Sequence, residues 1–368
     1  MAQDWSGIVN TTMHKFIRQE EPNVLRNFKL LAMLQDRGRI MMNNSGDLMD
    51  WKVRYKQAPM QGFADMDTLT FSRKDRYKTA QLEWRGYAVT DMMTKMEREK
   101  NKNTEAIIKR YSTIGSLLLE DLEEQFGNEF YKDGNAANSK GIHGIESFFG
   151  TGSPVAAGFV AAPSDTYGGL TTGLGDYGGS WSTASGNVNW PSGTGDAHFD
   201  FWSPLIVDYT DAAWAASTDT WVNTALEALR YGIIKGKKNK SKKGMLDMIL
   251  LEGELYRGFL ELLQTEEQIH VVRGQSMGST KGRLYDLGFT DVTNFDGVDI
   301  TWEYGIPSAV GYGWCLDQMS LESLQGQLFV PGGPDWDPPT QAWRFTIDFM
   351  GNLRFASIRN FVKFAAVT

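Results

Sequence analysis

The chain has 368 residues, with 37 Lys and Arg against 45 Asp and Glu, so its formal net charge is −8. That balance argues against a dedicated DNA-binding protein, which presents a net basic surface, and 41% hydrophobic with 12% aromatic residues argues against a disordered chain. No apolar run approaches the ~20 residues of a membrane-spanning helix, no secretory leader is expected from the opening residues, and the single Cys315 excludes an internal disulfide framework or a cysteine-based metal cluster.

Residues 1–20 read as a polar arm with sparse apolar anchors, among them Trp5 and Phe16. Pro22 suits the first turn of a helix, Leu25, Phe28, Leu31 and Ala32 recur at helical spacing, and Gly38 is placed to end it. Trp51, Val53 and Tyr55 alternate with Lys52, Arg54 and Lys56, and Ala80, Leu82 and Trp84 alternate with Gln81, Glu83 and Arg85. Period-two patterning on both sides of a mainly polar stretch, Pro59 to Lys78, predicts a long hairpin with a long tip, and loops of that length are usually functional or disordered. Arg85-Gly86 suits a bulge.

The spacing predicts one long helix over 90–132, capped by Thr90 or Asp91. Its apolar stripe is Ile107, Tyr111, Ile114, Leu118, Leu122 and Phe126, and Lys132-Asp133-Gly134-Asn135 ends it. About forty residues would span roughly 60 Å, long for one compact domain. Residues 150–213 turn rich in Gly, Ser and Thr, with Trp181, Trp190 and Trp202 among them, and predict irregular surface with short strands. A unit of helices and strands follows over 217–325. It has a helix carrying Trp221, Leu226, Leu229 and Ile233, a lysine run at 235–243, a buried strand at 245–251 and a helix with Leu255, Phe259, Leu262 and Leu263. Two further strand candidates are 298–302 and 311–316. The close has a turn at Val330-Pro331-Gly332-Gly333-Pro334 and strand-like runs at 342–349 and 360–367.

Catalytic signatures are missing. No GxSxG, HExxH, CxxC or phosphate-loop order occurs, so the chain is not expected to be an enzyme, and no cofactor or metal is implied. The carboxylate neighbours Asp208 with Asp211, Glu252 with Glu254 and Glu266 with Glu267 read as solvated surface or caps. His198 between Asp196 and Asp200 reads as loop polarity, His270 as a helix-end contact, and Cys315 as a buried, inert thiol. The lysine run reads as a solvated turn in preference to a phosphate-contacting loop, since it lacks interleaved aromatics. Trp and Tyr interleaved with apolar strands favour packing and interfaces.

The order of arm, long hairpin, long helix, Gly-rich region, α/β unit and terminal strand pair resembles the major capsid protein of tailed bacteriophages. That fold is shared with herpesvirus shell floors and encapsulins. Leu31 to Ile40 followed by Asn43-Asn44-Ser45-Gly46 and Met49-Asp50-Trp51-Lys52-Val53, Gly141-Ile142-His143-Gly144-Ile145, Tyr167-Gly168-Gly169-Leu170, Leu287-Gly288-Phe289, Asp296-Gly297-Val298-Asp299-Ile300 and Gly351-Asn352-Leu353-Arg354-Phe355 with Arg359-Asn360-Phe361 carry it. The resemblance covers essentially the whole chain and rests on this ordered combination.

The resemblance implies an α+β subunit with an N-terminal arm (1–49), an extended β-hairpin loop (50–89), a peripheral domain whose first part holds a spine helix and a Gly-rich insertion (90–214), an axial domain (215–325) and C-terminal peripheral strands (326–368). It implies self-assembly into hexamers and pentamers of an icosahedral shell in the virion, built in the host bacterial cytoplasm around double-stranded DNA held weakly and without sequence specificity. A separate scaffolding protein, a portal and a decoration protein are the partners this implies; no membrane is involved. A hairpin and an arm without cores of their own need a neighbour's surface, which places the inter-subunit contacts at Trp5, Phe16, Phe63, Phe71, Arg73, Arg76, Tyr77 and Trp84. Lys74 and Lys78 carry no mark of covalent cross-linking. The alternatives are an encapsulin-type compartment and, from a different class, a Trp-rich glycan-binding or hydrolytic β-protein.

Overall fold

The structure, a computed structural model, describes residues 29–55, 60–72, 75–100, 114–115, 118, 121–122, 125–136, 139–154, 159–174, 201–212, 214, 220–237, 246–265 and 292–367. The first described element, α1 (Lys29–Asp36), buries Leu30 to Leu34 without a break, so it is enclosed on several sides and is not a surface helix. It ends as Gly38 predicts. The Gly38 N–H bonds to the Gln35 carbonyl and the Arg39 N–H to the Leu34 carbonyl, with Gly38 at φ +62°, which is a Schellman stop. The next strand, β1 (Ile40–Asn44), runs parallel to β14 (Met319–Leu324). Residues 29–44, read in sequence as part of an arm, are therefore built into the body.

The hairpin forms as predicted. Strand β2 (Leu48–Arg54) pairs antiparallel with β3 (Tyr77–Glu83), from Leu48 opposite Glu83 to Arg54 opposite Tyr77. The helix expected from residue 90 does not begin there. Residues 85–94 form strand β4 (Arg85–Thr94), matched residue for residue to β16 (Ala342–Phe355) from Arg85–Gly351 to Thr94–Ala342. Half-buried Tyr87 and Val89 and buried Met93 face the core, while Ala88, Thr90 and Met92 face out, so a two-residue period displaces the helical one. Thr94, not Thr90 or Asp91, is the cap. Its Oγ1 accepts the Glu97 N–H at 3.3 Å at the start of α2 (Lys95–Lys100). Thr94→Ala should lower stability by about 1 kcal/mol, measured by urea unfolding. No change would show that the cap is not made in solution. Helical backbone recurs at 114–115, 118, 121–122 and 125–129, with Ile114, Leu118, Leu122 and Phe126 all buried as the stripe predicts. Ile107 and Tyr111 lie outside the described residues.

The predicted turn at 330–334 is instead part of β15 (Val330–Asp337), an outer strand against β16, with a register shift between Gly332 and Asp335 and a cis Gly333–Pro334 bond. Proline is tolerated on an edge strand and at a bulge. β1, β14, β16, β15 and β4 make one five-stranded sheet.

The other sheet has eight strands in the order β11 (Thr293–Phe295), β12 (Val298–Trp302), β10 (Met248–Leu251), β13 (Gly311–Trp314), β17 (Val362–Ala365), β9 (Leu205–Asp208), β6 (Val160–Ala162) and β5 (Ser153–Pro154). Helices α3 (Trp221–Gly236) and α4 (Gly253–Thr265) pack against each other beside it. The strand after α3 and the helix after that strand fall where their apolar spacing predicts. The last strand, β17, lies between β13 and β9, so the C-terminal segment builds both sheets. A small hairpin, β7 (Thr166–Tyr167) with β8 (Leu170–Thr171), lies under the long one.

Two apolar cores result. One joins α1, the long hairpin, the five-stranded sheet and the aromatic set Phe148, Phe149, Tyr167, Phe355 and Phe361; the other lies between the eight-stranded sheet and α3 and α4. Trp202, Trp214, Trp221 and Trp314 are buried within the chain. These four tryptophans are thus core, the packing role expected of aromatics interleaved with apolar strands.

Candidate assembly surface

The long hairpin is anchored at its foot, packed along its shaft and bare at its tip. At the foot, Arg85 Nη1 donates to the carbonyls of Gly134 at 2.8 Å and Gly141 at 2.6 Å. The Tyr87 hydroxyl donates to Glu129 Oε2 and accepts the Ile142 N–H, both at 2.6 Å. Burial, then the Glu129 carboxylate, raise the Tyr87 hydroxyl above its ordinary pKa.

Behind this lies a buried knot. Asn352 Oδ1 accepts the His143 N–H at 2.9 Å, and its Nδ2 donates to the Glu83 carbonyl and to His143 Nδ1, both at 2.9 Å. An Asn N–H aimed at Nδ1 requires that nitrogen to be bare, so His143 is neutral. Burial, with Arg85 nearby, pushes the imidazole down to about 4. The turn at 141–145 depends on Gly144, where any Cβ would meet the carbonyls of Lys132, Phe130 and Glu129. A cleft of about 480 Å³ opens here, lined by Glu83, Arg85, Asn135, His143 and Asp165 among others.

Along the shaft, Met49, Val53, Ala80 and Leu82 are buried and half-buried Trp51 packs between them and the body. Trp51 Nε1 donates to the Ala356 carbonyl at 3.3 Å, and the Gln81 N–H donates to the Gly168 carbonyl at 3.0 Å. The shaft therefore rests on the body of its own chain.

The tip does not. Met60 is 98% exposed, Phe63 71%, Met66 95%, Phe71 91% and Tyr77 55%. Gln61 and Thr70 tie its two limbs together through Thr70 N–H to Gln61 Oε1 at 3.0 Å and Gln61 Nε2 to the Thr70 carbonyl at 2.8 Å. The Ala64 N–H bonds to Asp67 Oδ2 at 2.8 Å across the turn. The loop has its own hydrogen bonds and presents its apolar side chains outward. Contiguous exposed apolar groups of this kind mark an interaction site.

Of the sequence-derived contact residues, Phe63 and Phe71 are exposed on this tip, and exposed Tyr77 and half-buried Arg76 stand where β3 begins. Trp84 is half-buried at the foot and donates its Nε1–H to the Gly46 carbonyl at 2.9 Å. Trp5, Phe16 and Arg73 lie outside the described residues, as do Lys74, His198, His270, Glu266, Glu267 and residues 238–243 of the lysine run. Sequence reasoning missed Met60 and Met66. The signal was a methionine on either side of Phe63, beside polar Gln61, Asp65 and Asp67.

The other candidate chemistry resolves into structure. Asp208 Oδ1 takes the Thr210 N–H at 2.9 Å and the Thr210 hydroxyl at 2.7 Å, and Glu252 Oε2 accepts the Leu255 N–H at 3.3 Å. Glu254 pairs with Arg257 on an exposed helix face. Cys315 is buried, and burial, then Asp247, push its thiol up to about 12, far from a reactive thiolate.

No protein-family model and no curated protein matches the sequence. Solved structures do match. One is the cyanophage A-1(L) capsid asymmetric unit, 15% identical with a TM-score of 0.57, covering 94% of each chain. Another is the capsid of a native GTA particle computed with C5 symmetry, 9% identical with a TM-score of 0.53, covering 90% of each chain. The empty GTA particle's capsid matches at 8% identity and the same TM-score of 0.53, covering 90% of this chain and 96% of that one. The chain has the α+β capsid fold of tailed phages.

Proposed function

We propose that this chain is a major capsid protein, which self-assembles into hexamers and pentamers of an icosahedral shell around packaged double-stranded DNA. The observation that carries this reading is a capsid fold matched end to end, over 94% of both chains. The bare tip of the long hairpin agrees with it. A stable isolated subunit gains nothing by holding Phe63, Met66 and Phe71 in water, whereas a subunit whose hairpin lies on a neighbour removes them from it. A tip received by a different patch of the neighbour makes a head-to-tail contact, the kind that gives rings where the rotation between copies closes.

In this reading the arm comprises the residues before α1, the extended loop is the hairpin of β2 and β3 with the residues between them, and the eight-stranded sheet with α3 and α4 forms the axial unit. The peripheral unit is the five-stranded sheet with the helical residues 114–115, 118, 121–122 and 125–129. The site of action is the virion, after assembly in the host cytoplasm with a separate scaffolding protein, a portal and a decoration protein. The net charge of −8 suits a wall that holds DNA without gripping it.

The test is imaging of the expressed full chain by negative stain, alone and with candidate scaffold. Closed shells or capsomer rings are expected, and shells from infected cells should protect double-stranded DNA from nuclease. A persistent monomer under all conditions overturns the proposal.

A further inference from the structure

Within the hairpin tip, apolar and polar residues do different things. Met60, Phe63, Met66 and Leu69 recur every third residue and, with Phe71, all stand exposed. Polar residues between them hold the loop. The Gln61 side-chain amide behaves as a peptide group would. Its Oε1 accepts the Thr70 N–H at 3.0 Å and the Thr70 hydroxyl at 3.2 Å, and its Nε2 donates to the Thr70 carbonyl at 2.8 Å. One side chain thus supplies the two-way pairing that a neighbouring strand supplies from its backbone. Inside that tie, the Asp67 N–H bonds to the Ala64 carbonyl at 3.2 Å and the Ala64 N–H to Asp67 Oδ2 at 2.8 Å, which closes a four-residue turn.

The apex of this turn breaks a local rule. Met66, its third residue, has φ +66°, a conformation for which turns favour Gly or Asn and in which other L-residues are strained. The segment's glycine, Gly62, sits outside the turn. Met66 is 95% exposed, so no burial within the chain offsets the strain. The ties are exposed too, and hydrogen bonds in competition with water add little to folding. A strained apex that holds an apolar side chain outward, on a loop tied at no evident gain to the subunit, points to a shape kept for a contact.

Resting on the reading of the tip as a contact between copies, we propose that Gln61 is a positioning residue for assembly: its amide, paired with Thr70, holds the tip in docking shape before a second copy of the chain is met. Without the tie, residues 61–70 sample many shapes. A neighbour then binds only the fraction already in the right one, and the apparent affinity falls by that fraction. Gln61 acts through Phe63, Met66 and Leu69 and needs no contact of its own with the neighbour. Two substitutions break the pairing differently. Gln61→Ala removes both halves of it. Gln61→Glu keeps the size and the acceptor, but at neutral pH its carboxylate has no proton for the Thr70 carbonyl and sets one acceptor against another.

¹⁵N relaxation of the unassembled, deuterated full chain measures the tip directly. Backbone order parameters over residues 61–70 should be about 0.85 in the wild type and below about 0.6 in Gln61→Ala and Gln61→Glu at neutral pH. The thermal midpoint should be the same in all three, which a merely structural role would not allow. Light scattering against concentration should show both variants assembling only at about tenfold higher concentration, although Phe63, Met66 and Phe71 are still in place. A wild-type tip as loose as this, a variant tip as rigid as the wild type, or a loosened variant that assembles at the wild-type concentration overturns the proposal and leaves the capsid reading standing. A wild-type chain that never assembles overturns the capsid reading, and this proposal with it.

Discussion

Replacing Phe63 and Phe71 together by serine is expected to leave the thermal midpoint of the subunit unchanged and to raise the concentration needed for shell assembly at least a hundredfold. The two halves of that expectation have separate grounds. The rings are 71% and 91% exposed, so the folded subunit draws almost nothing from them. On a neighbour, each would be removed from water, worth about 1.5–3 kcal/mol per ring. Two rings give about 3–6 kcal/mol per docking event, and each 1.4 kcal/mol is a factor of ten, so about 10² to 10⁴ in assembly. Light scattering against concentration, with negative stain of the products, measures the assembly term, and calorimetry of the unassembled chain measures the other. Unchanged assembly would take the tip out of the interface. A fall in the melting midpoint would show that the rings serve the subunit itself.

The parts of the fold that could be read in the sequence are those whose signal is local. Trp51 and Val53 against Ala80 and Leu82 announce two strands, and their alternation fixes which face lies on the body. Gly38 after five apolar residues announces a helix stop for a reason that involves no other part of the chain. What was misread depends on partners far along the chain. Thr90 and Asp91 are plausible caps, and Met92 and Met93 suit a helix. Only the ladder to residues 342–351 makes them strand, and nothing near residue 90 reports on a partner some 250 positions away. Val330-Pro331-Gly332-Gly333-Pro334 has the composition of a turn, but its place at a sheet edge lets a bulged strand absorb both prolines.

Site residues divide the same way. Phe63 and Phe71 stand out because a large ring in a polar loop has no partner within reach. His143 and Asn352 do not stand out at all. A polar residue gives no sign of burial until the elements that cover it are assembled, and β3 and β16 arrive from positions 83 and 352.

Asn352→Ala is the substitution expected to cost the fold most among the polar ones, about 3–5 kcal/mol. It leaves the His143 N–H, the His143 Nδ1 and the Glu83 carbonyl without their partner at once, and each buried group left bare costs about 1–3 kcal/mol. The sum stays in the lower half of that range because the adjacent cleft of about 480 Å³ lets water reach Glu83. Urea unfolding at neutral pH measures the loss, and a value under 1 kcal/mol would show that the knot is not holding the hairpin foot.

The histidine supplies a second readout from the same site. Wild-type His143 is held down at about 4 against an ordinary 6.5. The unfolded chain therefore takes up a proton that the native one refuses as pH falls from 6.5 to 4, and stability drops by about 1.4 kcal/mol per unit across that window. In Asn352→Asp a carboxylate faces Nδ1 and favours the imidazolium, so the His143 midpoint, followed by NMR of the ring protons, should rise by at least two units. Glu83 loses its donor in both variants, but only the aspartate variant regains stability toward acid. A His143 midpoint still near 4 in Asn352→Asp would mean that the side chain at 352 does not reach the ring, and the knot would have to be redrawn without it.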